Sequence, residues 1–328
     1  MEEEGAKSMS KKKVTTSTGA VVREKPLGMR IWNHRGYYIM ILPVLAFLAV
    51  VHYWPMLGIR YSFYQYYTVM APKFVGFQNF KNMFATQQFW DAFGNTLLLS
   101  IMKLIITTVS SVVVSIFLNE MGNLFAKKSL QTIIYLPHFM SWAVVAGIFT
   151  LFLSASNTGV LNGLLRDWGI LKEGQMNISW LEEQKYWRTI FYIINIWKET
   201  GWGTIIFLAT LSGINPELYE AADIDGATRI QKIQYVTVPA LMNTILTVLI
   251  LNLAKVMNMF ESVFVLYNAS VYKVSDVIST YIYRQSFGTA VADYGYSTAV
   301  GLFKSMVGAF LVLFCNWLSK KVRGRGII

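Results

Sequence analysis

Six long apolar runs, separated by polar and aromatic stretches, set the rhythm of the chain; they fall at roughly 37–58, 93–118, 130–153, 188–213, 241–266 and 296–318. Each has the roughly 20 residues that an α-helix needs to cross a hydrocarbon layer about 30 Å thick. The pattern predicts an all-α polytopic membrane protein with six transmembrane helices. The first run ends in His52-Tyr53-Trp54-Pro55, an interfacial aromatic cluster and not a small-residue cleavage site, so it reads as a retained span. The third holds Pro137, which a membrane helix tolerates where neighbours satisfy the freed carbonyl. The stretches 59–92, 154–186 and 267–295 read as outside segments, the first partly lying on the membrane surface.

Composition fits this reading. The 328 residues are 54% hydrophobic, too apolar for an ordinary soluble domain. The net charge of +11 is compatible in principle with nucleic acid, but it sits at the chain ends and beside the apolar spans, as the positive-inside rule requires. Segments expected inside hold sixteen Lys and Arg against eight in those expected outside, which puts both termini and the stretch 215–239 in the cytoplasm. Residues 1–36 read as a disordered basic tail, 37–318 as the transmembrane domain and 319–328 as a second basic tail. The one cysteine, Cys315, lies within a span, which excludes a disulfide framework and a Cys-based metal site. There is no nucleotide-cradling, zinc-protease or serine-hydrolase motif, so the sequence assigns no catalytic residue, no metal and no cofactor to this chain.

The polar interruption Asn215–Pro239 between the fourth and fifth runs has specific local chemistry. Asn215 is a helix cap, Pro216 suits the first helical position, and Glu217 and Glu220 favour the positive end of the helix dipole. Leu218, Ala221 and Ala222 fall on one narrow apolar face. Asp225-Gly226 then breaks the helix, and a second helix is expected from about Ala227 to Pro239. A bent, water-facing element of this kind has no lipid to bury itself in, which points to a partner protein.

Charge inside a span is costly and therefore informative. In the fourth run Arg188, Asn195, Lys198, Glu199 and Trp202 recur at helical spacing, and in the fifth Asn252, Lys255, Asn258 and Ser262 do so, with Glu261 at the margin. Lys103 and Lys304 are further candidates. The two stripes read as the wall of a wet substrate path, with Trp142, Trp197 and Trp202 as platforms for sugar rings; the competing reading is polar contact between helices or snorkelling lysine. The excess of Lys over Glu suits an anionic substrate. His138 has no acidic partner nearby in sequence and reads as a packing residue.

The 215–239 stretch resembles the loop that defines permease subunits of binding-protein-dependent ABC importers. Glu220-Ala221-Ala222, Gly226, Val236 and Val238-Pro239 match that pattern in every spacing, with Val in place of Ile and Leu at 236 and 238. Phe117–Met121, Gln131 to Phe139 and Trp197–Trp202 resemble the maltose-type sugar permeases, in particular the branch for polysaccharide, alginate-like or complex-glycan oligomers. The resemblance implies the type I ABC importer permease fold in a bacterial cytoplasmic membrane. It implies as partners a second homologous permease, two ATPase subunits that bind ATP-Mg, an extracytoplasmic sugar-binding protein and membrane lipid, with no nucleic acid. Docking to the ATPase falls on Glu220, Ala221, Ala222, Asp223, Asp225, Gly226 and Pro239; the substrate path falls on Asn195, Lys198, Glu199, Trp202, Asn252, Lys255, Asn258 and Glu261. An ATP-independent carrier or channel explains the intramembrane charges but not the loop. A membrane-bound glycan-processing enzyme would draw on Asp167, Glu173, Glu182 and Glu183, which no motif organises.

Overall fold

The computed structural model describes residues 14–15, 21–22, 27–67, 70–156, 159–172, 174–288 and 291–323. Most of the basic tail 1–36, the end of the second tail and Glu173 lie outside them. In the described part of the first tail, Val14–Thr15 (β1) pairs with Val21–Val22 (β2), and Leu27–Asn33 (α1) is helical. Apolar Leu27, Met29, Ile31 and Trp32, with no breaker after Gly28, permit that turn of helix.

The chain forms two compact units, residues 1–59 and 60–328. The first holds β1, β2, α1 and most of the apolar helix Arg35–Phe63 (α2), of which no residue up to Met56 is buried. The second begins with a hairpin of Tyr64–Gln65 (β3) and Lys73–Phe74 (β4), then the helices Gln78–Ala85 (α3) and Gln87–Asn119 (α4). After these come Leu124–Tyr135 (α5), Trp142–Phe152 (α6), Val160–Asp167 (α7), Gln184–Leu211 (α8), Pro216–Ile224 (α9) and Arg229–Leu253 (α10). The one-turn helix Glu261–Phe264 (α11), Ile278–Phe287 (α12) and the long Tyr294–Arg323 (α13) complete it.

Four helices, α2, α4, α10 and α13, are long and apolar enough to cross a membrane, and a fifth crossing is available if the bent pair α5–α6 counts as one. The third expected span is therefore not a straight helix. Its two halves meet at 102° around the 3-10 turn Leu136–Phe139, because Pro137 cannot continue the ladder and Ser141 starts a new helix by accepting from Val144 N–H. The fourth, α8, is continuous over 28 residues, long enough to span, but its polar positions lower its apolarity. The fifth differs most. It starts at Arg229, passes through Pro239 and stops at Leu253, so the helix expected over 241–266 is broken by a 3-10 turn at Val256–Asn258. The Val256 carbonyl freed by that break accepts from Ser100 Oγ at 2.8 Å, a partner contributed by α4.

Pro239 ends nothing because the preceding turn, Ile233–Thr237, is a π-helix. Widening the helix just before a proline relieves the clash of its ring with the carbonyl four residues back. The same device recurs at Ala49–Tyr53 before Pro55.

Three apolar clusters hold the second unit. One gathers Leu99, Val145, Trp187, Phe191, Ile194 and Val263, with Met140, Trp142 and Met259 packed on it. Another joins Met83, Phe89, Ile278 and Val300; a third joins Phe207, Leu211 and Leu241. The three stretches expected outside interlock at one end of the bundle: Tyr294 N–H donates to Tyr66 O, Asn268 Nδ2 to Leu181 O and Gln184 Nε2 to Ser270 O.

Candidate functional site

Two sites emerge, a bent element outside the bundle and a polar cluster inside it. The bent element is built by local rules. Asn215 Oδ1 accepts from Glu217 N–H at 3.1 Å, capping α9. At its other end Gly226 N–H donates to Asp223 O and Ala227 N–H to Ala222 O, the paired bonds of a Schellman turn. That turn needs the left-handed backbone of Gly226, φ 74°. Thr228 and Gln231 then form a reciprocal capping box that starts α10. The sequence reading put the second helix near Ala227; the Thr228-x-x-Gln231 signal was present and fixes its first residue at Arg229, two residues later.

Two side-chain contacts clamp the arms of this element. Lys232 Nζ lies 2.7 Å from Asp223 Oδ1, and Tyr219 OH lies 3.0 Å from Thr237 Oγ1. Asp223 is thus engaged within the element. Glu220, Ala221 and Asp225 are exposed, Ala222 is half-buried at the turn, and Pro239 is exposed on α10. Glu220 makes no ion pair among the described residues. In the same element the apolar side chains of Leu218, Ile224, Ile230 and Tyr235 are all more than half exposed.

The polar cluster forms where α8 crosses the bend of α5–α6. Lys198, 4% exposed, donates to His138 O at 2.9 Å and Met140 O at 2.7 Å, so its ammonium caps the carbonyls that the bend strands. Lysine at the centre of a membrane helix costs about 2.5–3.5 kcal/mol on insertion scales, and these bonds offset it. Its charge also lies 5.3 Å from the Trp142 ring centroid, and the Lys103 ammonium lies 5.6 Å from the same ring. Gly201, one turn on, permits the approach: a Cβ there would overlap the Ile134 backbone, as one at Gly203 would overlap Ser111. Thus the Trp197–Trp202 segment reads as a packing device as much as a polar stripe.

His138 acquires the acidic partner that sequence distance concealed. Its Nδ1 lies 3.3 Å from Glu199 Oε2, close enough to pair when the ring is protonated but without hydrogen-bond alignment. Its ring stacks on Trp202 at 4.9 Å and 12°. The expected fourth-run stripe is therefore split. Asn195 and Lys198 turn inward, Asn195 donating to Phe191 O within its own helix, while Glu199 is half-buried and Trp202 half-exposed. Arg188 serves structure, binding Asn95 Oδ1 and Val274 O. In the fifth run Asn252, Lys255, Asn258 and Glu261 are all exposed, but they straddle the end of α10 and the 3-10 turn and do not share one helical stripe. Asn258 also lines an open cavity of about 460 Å³ with Met257, Gly301, Lys304 and Gly308.

Comparison with known proteins adds three findings. The family model described as binding-protein-dependent transport system inner membrane component matches residues 111–324. Protein LplB of Bacillus subtilis (strain 168) is 36% identical over 294 residues, 88% of this chain and 90% of that one, and the polygalacturonan/rhamnogalacturonan transport system permease protein YteP of the same organism is 34% identical over 309 residues, 93% and 94%. A chain in the crystal structure of a bacterial alginate ABC transporter, in complex with alginate pentasaccharide-bound periplasmic protein, superposes with TM-score 0.81 at 36% identity, covering 92% of this chain and 100% of that one.

Proposed function

This chain belongs to the inner membrane components of binding-protein-dependent transport systems, and from that premise we propose that it is the permease subunit of an ATP-driven oligosaccharide importer working by alternating access. The observation that carries the coupling is the bent element: two short arms locked by Asp223–Lys232 and Tyr219–Thr237, rigid enough to transmit force, with Glu220 among exposed apolar side chains. A separate ATPase docks on that face, with Ala221, Ala222, Asp225, Gly226 and Pro239 shaping it. ATP-Mg binds on that subunit, and its closure moves the element as a lever.

The substrate class follows from the relatives, whose names speak of polygalacturonan, rhamnogalacturonan and alginate. The full assembly on this reading has a second homologous permease, two ATPases and an extracytoplasmic sugar-binding protein, in a bacterial cytoplasmic membrane. The chain crosses six times with both termini in the cytoplasm, α8 and the bent α5–α6 pair included. The interlocking of 59–92, 154–186 and 267–295 at one end supports that topology. Asn195, Lys198, Glu199 and Trp202 support the pathway wall from α8, and Asn252, Lys255, Asn258 and Glu261 from the broken end of α10. A helix interrupted at membrane depth is tolerated where it lines a water-filled route.

The test is Glu220→Lys beside Gly226→Asp in the intact transporter. Both variants reach the membrane, but neither retains the ATPase on purification nor supports uptake; wild-type uptake in either variant rules the dock out.

A further inference from the structure

We propose that the open cavity between the broken end of α10 and the last helix, α13, is a subsite for one pyranose ring of the transported saccharide, with Lys304 and Asn258 as its hydrogen-bonding groups. The subsite presupposes the importer reading above and extends the route to α13.

Three features meet there. The α10 helix stops at Leu253 and gives way to the 3-10 turn Val256–Asn258. Backbone that leaves the helix at membrane depth is tolerated where it is buried in protein or lines water, and Asn258 on this turn is exposed. Lys304 follows Tyr294 by ten residues, about 15 Å along α13 and so about half-way through a hydrocarbon layer of about 30 Å. A lysine at that depth faces the protein interior or a wet cavity, not lipid. Ser279 Oγ accepts from its ammonium at 3.0 Å and fixes where it sits. Between the turn and the helix the cavity holds about 460 Å³, within the range of about 300–1,000 Å³ that small-ligand sites occupy.

Two glycines keep this space open. Gly301, Lys304, Ser305 and Gly308 fall on one face of α13 and line the cavity, while Val300, Phe303, Val307 and Leu311 hold the helix to its apolar cluster from the next face. A Cβ at Gly301 or Gly308 would meet no atom within 4 Å among the described residues, unlike one at Gly201 or Gly203. Glycine weakens a helix interior relative to alanine, and at 301 and 308 it leaves room for a group from outside the chain. The lining selects the occupant. Lys304, Asn258 and Ser305 offer an ammonium, an amide and a hydroxyl, and Met257 and Ile282 add apolar surface. That mixture suits a pyranose, with hydroxyls around its edge and C–H groups on its face. An apolar helix of a partner subunit seated there would press on the ammonium and desolvate it, which is costly.

The experiment uses the whole transporter as it co-purifies with this chain, in vesicles loaded with ATP. The probes are oligogalacturonate, oligomannuronate and their carboxyl-reduced neutral forms, and the variants are tested on whichever of them wild type imports. Gly308→Leu fills the cavity and blocks uptake, Gly308→Ala leaves most of it, and both retain the assembly. Lys304→Met lowers uptake roughly tenfold, the worth of one charged hydrogen bond. A Cys315→Ala background then carries Ser305→Cys, which lines the cavity, or Met306→Cys, an exposed neighbour that does not. A small water-borne thiol reagent modifies the Ser305→Cys variant, because only a hydrated thiol ionises readily, and saccharide with its binding protein slows the reaction several-fold. The Met306→Cys variant reacts slowly whether or not saccharide is present. Wild-type uptake in Gly308→Leu or Lys304→Met, or labelling of Ser305→Cys that saccharide leaves unchanged, overturns the subsite and leaves the importer reading intact. Loss of the partner subunits from Gly308→Leu points to a helix seated in the groove and overturns it too. A wild type that imports none of the probes defeats the importer reading and the subsite together.

Discussion

At the residue scale, Lys198 illustrates how a costly charge is made useful. Its aliphatic stem crosses the interior of the bundle, and its ammonium ends on two carbonyls that no helix satisfies. Replacing it by methionine keeps the volume and removes the donors. Stranding a buried acceptor costs about 1–3 kcal/mol, so Lys198→Met is expected to lower the melting temperature of the detergent-solubilised complex, with the loss centred on the α5–α6 bend. An unchanged melting temperature would mean that the bend holds itself. The sequence exposed Lys198 as an anomaly but not its partners, because His138 and Met140 are about 60 positions away and become neighbours only through packing.

At the scale of elements, close approach between helices depends on two glycines. Gly201 lets α8 lie against the backbone at Ile134, and Gly203 lets it lie against Ser111, which donates to Thr200 O at 3.1 Å. Small residues of this kind allow membrane helices to associate without a hydrophobic driving force. Gly201→Ala should destabilise the unit by roughly 1–3 kcal/mol through overpacking against immovable backbone, seen as protease cleavage in the 136–141 bend; resistance equal to wild type would show that α5 can move aside. The bent element between α8 and α10 was readable in far more detail. Its caps, its glycine turn and its exposed face come from bonds spanning two to five residues, and such bonds are written locally. The break after Leu253 was not readable. The polar residues Asn252, Lys255 and Asn258 keep helical spacing across it, and no Gly or Pro marks it. Ser100 stabilises it from another helix, and periodicity carries no record of that partner.

At the scale of the molecule, hydrogen bonds tie the loops of the second unit to one another, while the bent element is held by its own side chains. Cys315 is buried and is the one cysteine in the chain, so a Cys315→Ala background gives clean topology mapping. Met176→Cys, at a position 92% exposed, and Gln231→Cys, also exposed, are expected to react with a membrane-impermeant thiol reagent from opposite sides. Met176→Cys should label from outside and Gln231→Cys only after the cytoplasmic face is opened. Labelling of both from one side would overturn the six-crossing topology.

The sequence by itself determined the class of molecule, the approximate apolar spans and the bent shape of the 215–239 element, because hydropathy, charge bias and helix capping act over a few neighbouring residues. Tertiary structure alone decided where the spans bend or stop and which polar groups meet inside. The freed carbonyls at 138, 140 and 256 are satisfied by Lys198 and Ser100 from other helices, and a helix can afford such a break only where another element supplies the missing donor.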